Sequence, residues 1–442
     1  MTSLPPFRRA AAGSAAVAAP IALAAALTAA ILPGPAAAQG QGAAPSSSSS
    51  APFDGTVKIG VLNDMSSLYQ DTTGPGSVAA VNMAVKDYLA AHPDSKLKPS
   101  VVFADHQNKP DIGANIAREW YESGGVDMVI DVPNSAVALA VSELTKQENK
   151  VNLNASAGTA RLTGDLCNAN TIHWNFDNYA LANVTGRAVV ATGGDTWFFL
   201  TADYAFGHDL EAQTSAVVKK QGGTVVGGVR APLNTPDFSS FLLQAQASGA
   251  KVIGLANAGG DTITAIKQAA EFGVTPKQKL AGLLVFITDI HSLGLQTAKG
   301  LQLTQSFYWD LNDDTRAWTK RFLQQHPNYP TSNQASAYSA TLHFLKAVEK
   351  ARTHDGKKIV ETMKAMPTDD PVLGKGTIRE DGRKLHPMYL LEVKSPEESK
   401  GVDGAWDYYR VVKTVPPEEA WRPLSEGGCP LVKAAAATAK KS

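Results

Sequence analysis

The chain has 442 residues, of which 44% are hydrophobic and 19% are charged, a composition typical of a soluble globular protein. This length suits two lobes, each with its own core, better than a single one. Because 41 basic residues balance 41 acidic ones, the net charge gives no electrostatic reason to expect a nucleic acid or an acidic membrane as partner.

The first segment, residues 1–38, has the order of a secretory signal peptide. Arg8 and Arg9 precede an apolar stretch, and a run of alanines that ends at Ala38 supplies the small residues of a cleavage site. A membrane anchor is the alternative, which Pro20 and the alanine content make the weaker one. We therefore expect an exported protein cleaved near Ala38, by a route (general secretory or twin-arginine) that the sequence leaves open.

The two ends of the mature chain and the cysteines bear on export as well. The low-complexity segment 39–55 is predicted to be a flexible linker, and residues 429–442 a C-terminal tail. The sequence contains two cysteines, Cys167 and Cys429. An even count in an exported protein favours a disulfide between them, with two unpaired buried thiols as the alternative.

Between the ends, predicted strands alternate with predicted helices. In chain order, the pattern predicts strand 57–62, helix 78–89, strand 100–104, helix 112–122, strand 128–131, helix 136–146, strand 151–154, helix 179–192, strand 196–201, helix 206–220, strand 224–229, helix 238–247, strand 251–256, helix 261–272 and strand 280–286. The alternation restarts at residues 171–182, which predicts an α/β protein with two doubly wound, Rossmann-like lobes.

The final third departs from this alternation. Two long helices, 315–325 and 334–351, are followed by the segment "KGTIREDGRKLHPMYLLEV". Such a segment can complete both lobes by crossing between them, and two facing lobes would place a site in the cleft at the carboxyl ends of the strands.

No group of residues in the sequence has the pattern of a catalytic site. The glycines of "GPG" at 74–76 lack the third glycine of a dinucleotide fingerprint, and "LGKGT" lacks the upstream glycine of a phosphate loop. The segment "NASAG" approaches the nucleophile elbow of a hydrolase, but Asn154 replaces the first glycine. The nine histidines show no metal-ligand spacing. We predict no enzyme, cofactor or metal, with an exported α/β hydrolase using Ser156 as the less favoured alternative.

Small polar residues follow two of the predicted strands. Asn134 and Ser135 follow "MVIDVP", and Ser156, Ala157 and Gly158 follow "VNLN". Backbone N–H groups at such positions suit a carboxylate or another small anion. Simple N-capping by Asn134 or Ser135 accounts for the first segment equally well.

Aromatic residues cluster near one edge of the predicted cleft. Trp174 and Phe176 lie at the restart of the pattern, and Tyr204 and Phe206 follow the strand "WFFLT". Aromatic residues in loops also cover cores, but four of them near one edge favour a flat or apolar ligand.

The order of these segments resembles a known family. An export signal is followed by "VKIGVLNDMSSLYQDTTGPGSVAAVNMAV", "DVPNSAVALAV", "NASAGTARLTGDLC", "TIHWNFDNYALA" and "TADYAFGHDLE". This order, over residues 56–430, resembles the periplasmic substrate-binding proteins of ABC importers in the leucine/isoleucine/valine-binding family. The resemblance implies the type I periplasmic binding protein fold, in which crossover strands join two lobes that close around one solute.

The resemblance also implies domain limits and partners. Lobe 1 would comprise residues 56–175 and 308–385, and lobe 2 residues 176–307 and 386–428. The partners would be a small-molecule solute and a membrane permease, with no nucleic acid, and the protein would be a periplasmic monomer.

Residue roles carried over by position suggest the class of solute. The turns that hold a ligand carboxylate fall on residues 134–135 and 156–158. The tyrosine that contacts the ammonium group of amino acids falls on Phe206, and the acidic residue falls on Asp289. Because Phe206 has no hydroxyl group, the clamp for a buried ammonium is weakened.

We therefore predict an aromatic acid as ligand, with branched-chain or other amino acids or amides as the alternative. Two further residues are predicted to bind the ligand. Asn257 directly follows the predicted strand 251–256, and Tyr69 lies in the polar loop at the rim of the cleft.

Overall fold

The computed structural model describes residues 53–275, 277–401 and 404–432. The predicted signal peptide, almost all of the linker and the last ten residues of the tail lie outside these ranges. Among the helices in these ranges, none combines the length and the hydropathy that a membrane span requires.

The strands alternate with helices as the sequence pattern predicts. The strands are, in chain order, β1 (Thr56–Asn63), β2 (Lys98–Asp105), β3 (Met128–Asp131), β4 (Val151–Asn154), β5 (Thr171–His173), β6 (Thr196–Ala202), β7 (Thr224–Ala231), β8 (Val252–Ala256), β9 (Lys279–Gly282), β10 (Gln302–Gln305), β11 (Thr377–Ile378), β12 (Lys384–Leu385), β13 (Met388–Val393) and β14 (Tyr409–Val415).

The helices lie between these strands and also form most of the late segment. They are α1 (Gly74–Ala91), α2 (Pro110–Glu122), α3 (Ser135–Gln147), α4 (Asn178–Leu181), α5 (Arg187–Ala191), α6 (Ala205–Lys220), α7 (Ser239–Ala247), α8 (Gly260–Glu271), α9 (Ile287–Leu293), α10 (Leu295–Ala298), α11 (Asp313–Phe322), α12 (Ser332–Ala351), α13 (Gly356–Lys364) and α14 (Pro417–Ala420).

The first lobe is built on a parallel sheet of order β2-β1-β3-β4-β5. Its central strands β3 and β4 are buried along their whole length, as expected for a parallel sheet with both faces covered. One core joins strand residues such as Ile59 and Met128 to Phe344 of α12 and Ile359 of α13. The late helices therefore pack on the sheet formed by the first part of the chain.

The second lobe is built on a parallel sheet of order β7-β6-β8-β9, beside an antiparallel sheet of order β10-β13-β14. Its cores join Trp197 and Leu255 of the parallel sheet to Leu391 and Trp421 from the end of the chain. The chain crosses between the lobes after β5, after β10 and between β12 and β13. These features confirm the predicted fold class of two doubly wound lobes joined by crossovers.

Two predicted elements differ from those observed. Strand 280–286 ends early, at Gly282, and α9 begins at Ile287, where the Phe286 N–H donates to the Asp289 carboxylate (2.9 Å). Helix 179–192 is interrupted by a π-helical turn, Ala182–Gly186, where the Thr185 hydroxyl pairs with the Thr304 hydroxyl of β10 (2.7 Å). The apolar pattern of the sequence marks neither of these boundaries.

Cys167 and Cys429 form a disulfide, as the even cysteine count predicted. Their Cα atoms are 5.5 Å apart, and the two residues are 262 positions apart in sequence. The bridge is buried and attaches the end of the described chain to the segment that follows β4.

Candidate ligand-binding site

A small cavity lies between the lobes, where the strands of both parallel sheets end. In parallel sheets, ligands bind at this end of the strands. Among the predicted binding residues, Tyr69, Ser156, Gly158, Tyr204 and Phe206 line the cavity. The other lining residues are Thr72, Pro133, Ala258, Leu284, Phe286 and Asn333.

The loop after β1 holds Tyr69 at the cleft. The buried Asp64 carboxylate accepts hydrogen bonds from the N–H groups of Ser67 (2.9 Å) and Tyr69 (2.8 Å) and from the Asn108 side chain (2.7 Å). Across the cleft, the Tyr69 hydroxyl lies 2.6 Å from the Tyr204 hydroxyl. Burial raises the pKa of both tyrosines, so both hydroxyls stay protonated at neutral pH. This pair links the two lobes.

The turn after β4 contributes two residues, Ser156 and Gly158, to the cavity lining. The Asn154 side chain braces the turn, because it accepts from the Ala157 N–H (3.0 Å) and donates to the Val132 carbonyl (3.2 Å). Within the described ranges, the N–H groups of Ser156 and Gly158 have no hydrogen-bond acceptor. Two unpaired donors in a cavity wall suit an anion such as a carboxylate.

Behind this turn lies a buried carboxylate. The Ser156 hydroxyl donates to Asp131, which also accepts from the Asn63 side chain (3.1 Å). Burial raises the pKa of Asp131. Asp131 and Val132 have φ values of 86° and 55°, a region that such residues rarely adopt and that often marks functional sites.

Gly158 lets the lobes approach each other. A Cβ atom at this position would lie 2.4 Å from the Asn178 side-chain oxygen and 2.8 Å from the Phe206 ring. Only glycine therefore fits between the first-lobe turn and the start of α6. The Asp209 carboxylate on α6 also accepts from the Ala160 N–H (2.8 Å), which extends this contact between the lobes.

Asn333 is a lining residue that sequence reasoning missed. It lies at the start of α12, far along the chain from the other polar lining residues, and its side-chain oxygen accepts from Asn175 (3.0 Å). The "TSNQ" capping box, in which Thr331 and Gln334 pair, signals where this helix begins but not which side chain reaches the cavity. The apolar lining residues Pro133, Ala258 and Leu284 carried no such signal.

Two of the predicted carboxylate-binding residues have structural roles outside the cavity lining. The Asn134 side chain caps α3, because it accepts from the N–H groups of Ala136 (3.0 Å) and Val137 (3.2 Å). The Ser135 hydroxyl accepts from the Thr159 N–H (3.3 Å). Capping was the alternative that the sequence left open, and the structure gives Asn134 this role.

The other predicted residues outside the lining are Ala157, Trp174, Phe176, Asn257 and Asp289. Ala157 is buried with its N–H bound to Asn154, and Asn257 accepts from the Thr262 hydroxyl (2.7 Å). Trp174 belongs to the first-lobe core, where it donates to Ser339 (2.8 Å).

Phe176 and Asp289 lie behind the aromatic part of the cavity wall. The Phe176 ring is 6.0 Å from that of Phe286. The Asp289 carboxylate is occupied by the Phe286 N–H, and burial raises its pKa to about 7. Local sequence pattern cannot distinguish a ring in the lining from one behind it.

The cavity lining carries no charged side chain among the described residues. In the same ranges, no cluster of three or more histidine, cysteine or acidic residues could hold a metal ion. The site can therefore offer neutral donors, hydroxyl groups and aromatic surface to a small molecule.

Two α/β lobes with a small cavity between their strand ends define a class of proteins that enclose a solute. The sequence model of the family described as "Periplasmic binding protein" matches residues 56–401. The chain belongs to this family, which confirms the resemblance to the substrate-binding proteins of ABC importers.

Solved structures agree with this assignment. A periplasmic binding protein from Burkholderia mallei is 49% identical, with a TM-score of 0.82 over 85% of this chain and 99% of that one. A branched chain amino acid ABC transporter periplasmic ligand-binding protein from Burkholderia xenovorans LB400 is 41% identical, with a TM-score of 0.75 over 85% and 99%. An ABC transporter solute binding protein from R. palustris in complex with benzoate is 20% identical, with a TM-score of 0.72 over 85% and 100%, a likeness of fold alone.

Proposed function

We propose that the protein is a periplasmic receptor that captures a small aromatic carboxylate and delivers it to an ABC permease. The observation that carries this proposal is the cavity lining, which combines two unpaired N–H groups with aromatic rings and has no charged side chain in the described ranges. Closure of the lobes around the ligand would form the complex that the permease recognises.

The polar part of the wall supports a carboxylate. The N–H groups of Ser156 and Gly158 are fixed donors, so they need no rearrangement to bind an anionic oxygen. The Asn333 amide nitrogen, which has no acceptor in the described part of the chain, adds a third donor. Hydrogen bonds to a charged acceptor are stronger than those between neutral groups.

The opposite part of the wall supports an aromatic ring. Phe206 and Phe286 offer buried ring surface, and Ala258 and Leu284 complete an apolar patch. The cavity is small, which favours a single ring over a larger molecule.

The same lining disfavours an α-amino acid. Its buried ammonium would need a carboxylate partner, and an unpaired buried charge costs several kcal/mol. The nearby carboxylates are engaged elsewhere, since Asp131 accepts from Ser156 and Asp289 accepts from the Phe286 N–H. The branched chain amino acid in the name of the B. xenovorans relative nevertheless makes this ligand class the rival to test.

Calorimetric titration of the purified mature protein tests the ligand class. We expect benzoate and hydroxybenzoates to bind and to raise the melting temperature by mass action, while leucine and isoleucine do neither. Binding of leucine without benzoate would overturn the aromatic assignment and leave the receptor role intact.

Cleavage near Ala38 and a monomeric state belong to the same proposal. Mass spectrometry of the protein recovered from the periplasm is expected to give a chain that starts at Gln39, and size-exclusion chromatography with light scattering is expected to give one copy. An intact N-terminus in the periplasmic fraction would contradict the first expectation, and a dimer mass the second.

An esterase based on Ser156 receives no support from the local geometry. The Ser156 hydroxyl donates to Asp131, whereas the serine of an α/β hydrolase donates to the histidine that acts as its base. The nearby His173 ring instead contacts the Ala157 carbonyl at 2.7 Å.

A further inference from the structure

Asn175 lies where the three crossovers between the lobes meet. It belongs to the first crossover, directly after β5 and Trp174. Its side-chain oxygen accepts from the Ser306 hydroxyl (2.5 Å), on the second crossover after β10. Its backbone carbonyl accepts from the guanidinium of Arg383, directly before β12 on the third. Asn175 is fully buried, and the Ser306 bond fixes the orientation of its side-chain oxygen.

The remaining polar group of Asn175 points to the ligand site. Its amide nitrogen donates to the side-chain oxygen of Asn333 (3.0 Å). An amide carries an acceptor at one end and donors at the other. Because the Asn333 oxygen is held by Asn175, the Asn333 nitrogen is the end that remains for the cavity, and no residue in the described ranges accepts from it.

We infer that Asn175 is a positioning residue that determines the hydrogen-bonding polarity of the cavity through Asn333. With Asn175 as an amide, the cavity receives a donor that suits a carboxylate, and this part of the inference rests on the proposed function. Because Asn175 contacts Ser306 and Arg383 on the other two crossovers, the orientation of the Asn333 donor depends on how the three crossovers lie relative to one another.

Asn175→Asp reverses the polarity. The introduced carboxylate accepts from Ser306 as the amide does, but its second oxygen cannot donate to Asn333. The Asn333 amide then turns its nitrogen toward this carboxylate and its oxygen toward the cavity, where the oxygen suits a ligand that donates. Benzoate and benzamide differ in this property and have nearly the same shape, which makes them a matched pair of probes.

The experiment measures the dissociation constants of benzoate and benzamide for the wild type, Asn175→Asp and Asn175→Ala. In the wild type we expect benzoate to bind more tightly than benzamide. Asn175→Asp is expected to lower the benzoate-to-benzamide affinity ratio by at least about tenfold. It is also expected to tighten benzamide binding, an effect that the added negative charge alone does not produce. Asn175→Ala frees Asn333 to rotate and is expected to bring the ratio closer to one.

Thr304→Val is the matched control, because it removes the bond to the Thr185 hydroxyl (2.7 Å) beside the second crossover and leaves the bonds of Asn175 to Ser306 and Asn333 in place. It is expected to lower the melting temperature without changing the ratio. A folded Asn175→Asp variant with the wild-type ratio would overturn the inference. If that variant does not fold, an unchanged ratio in Asn175→Ala overturns it instead. A wild type that binds neither probe would overturn the proposed function and this inference together.

Discussion

The two lobes contribute unlike walls to the cavity. The first lobe presents the backbone of Ser156 and Gly158 and the amide of Asn333, whereas the second presents the rings of Phe206 and Phe286. Under the proposed function, the first wall recognises charge with groups that are already fixed, and the second covers the ring as the lobes close. The difference predicts that substitutions in the two walls affect different properties.

The largest expected effect concerns the rigidity of the first wall. The disulfide joins Cys167, downstream of the 156–158 turn, to Cys429, and nearby Arg422 donates to the Ala160 carbonyl (3.0 Å). The double substitution Cys167→Ser with Cys429→Ser is expected to lower the free energy of unfolding by about 2 to 5 kcal/mol. Chemical denaturation of the exported protein measures this change.

The binding site itself is expected to survive in that variant. Benzoate affinity measured well below the new melting temperature should change less than about threefold, since neither cysteine lines the cavity. A large loss of affinity with little loss of stability would contradict this prediction. It would mean that the disulfide, and not the turn's own hydrogen bonds, holds the 156–158 turn in place.

The second effect tests whether the two walls meet at Gly158. Gly158→Ala places a Cβ atom against the Asn178 oxygen and the Phe206 ring and thereby opposes closure. We expect benzoate affinity to fall about 10- to 100-fold, which corresponds to the usual cost of overpacking. Isothermal titration calorimetry checks this.

Gly186→Ala is the control for Gly158→Ala. A Cβ atom at Gly186 would lie no closer than 3.5 Å to the Val217 side chain, an ordinary contact, and Gly186 lies outside the cavity lining. Equal affinity losses in the two variants would show that alanine acts through the general stability of the protein and not through closure.

The third effect distinguishes Asp289, the buried carboxylate behind the second wall, from Asp131, the one behind the first. Burial raises the pKa of Asp289 from 3.8 to about 7, so the folded protein binds this proton more tightly than the unfolded chain does. Its contribution to stability is therefore fully present below about pH 4 and falls as the pH rises toward 7. Asp289→Asn is expected to flatten this dependence and to be the more stable form at pH 8, by about 1 to 2 kcal/mol.

Urea denaturation at pH 4, 6 and 8 measures this dependence. Asp131, whose pKa burial also raises, leaves a residual slope of the same sign. The control is Asp237→Asn, because the Ser239 N–H holds the pKa of that exposed carboxyl below its ordinary value of 3.8, so its substitution is expected to leave the slope between pH 4 and 8 nearly unchanged. An Asp289→Asn curve parallel to the wild type would mean that Asp289 stays ionised in the folded protein.

The local sequence pattern predicted the strands and helices well, because their formation depends on residues that are close in sequence. The predicted strands 128–131 and 151–154 coincide with β3 and β4, whose apolar side chains, such as Ile130 and Leu153, pack in the core of the first lobe. The prediction for 280–286 ran too long. The strand ends at Gly282, and an apolar run gives no sign of where pairing with the neighbouring strand stops.

The lining of the site was less predictable, because it depends on contacts between distant segments. Ser156 and Gly158 could be selected from the turn after a strand, a local feature. Asn333 could not, since its approach to the cavity depends on how α12 packs on the first sheet and on Asn175. Trp174 and Phe176 flank Asn175 in sequence, yet both rings lie outside the lining and the asparagine between them contacts a lining residue.

The smallest effect concerns the hydrogen bond between Tyr69 of the first wall and Tyr204 of the second. The Tyr69 and Tyr204 hydroxyls pair at 2.6 Å, and Tyr204 belongs to the otherwise apolar second-lobe wall. Tyr69→Phe and Tyr204→Phe should each weaken benzoate binding about three- to tenfold, the usual net value of one hydrogen bond. If this hydrogen bond forms only when the lobes close, the double variant loses no more affinity than either single variant. The double-mutant cycle built from these variants then gives a coupling energy of about 1 kcal/mol. Additive losses would instead mean that each hydroxyl contacts the ligand separately. Tyr69 would then be one of the polar groups with which the first wall recognises the ligand, and it would have no role in lobe closure.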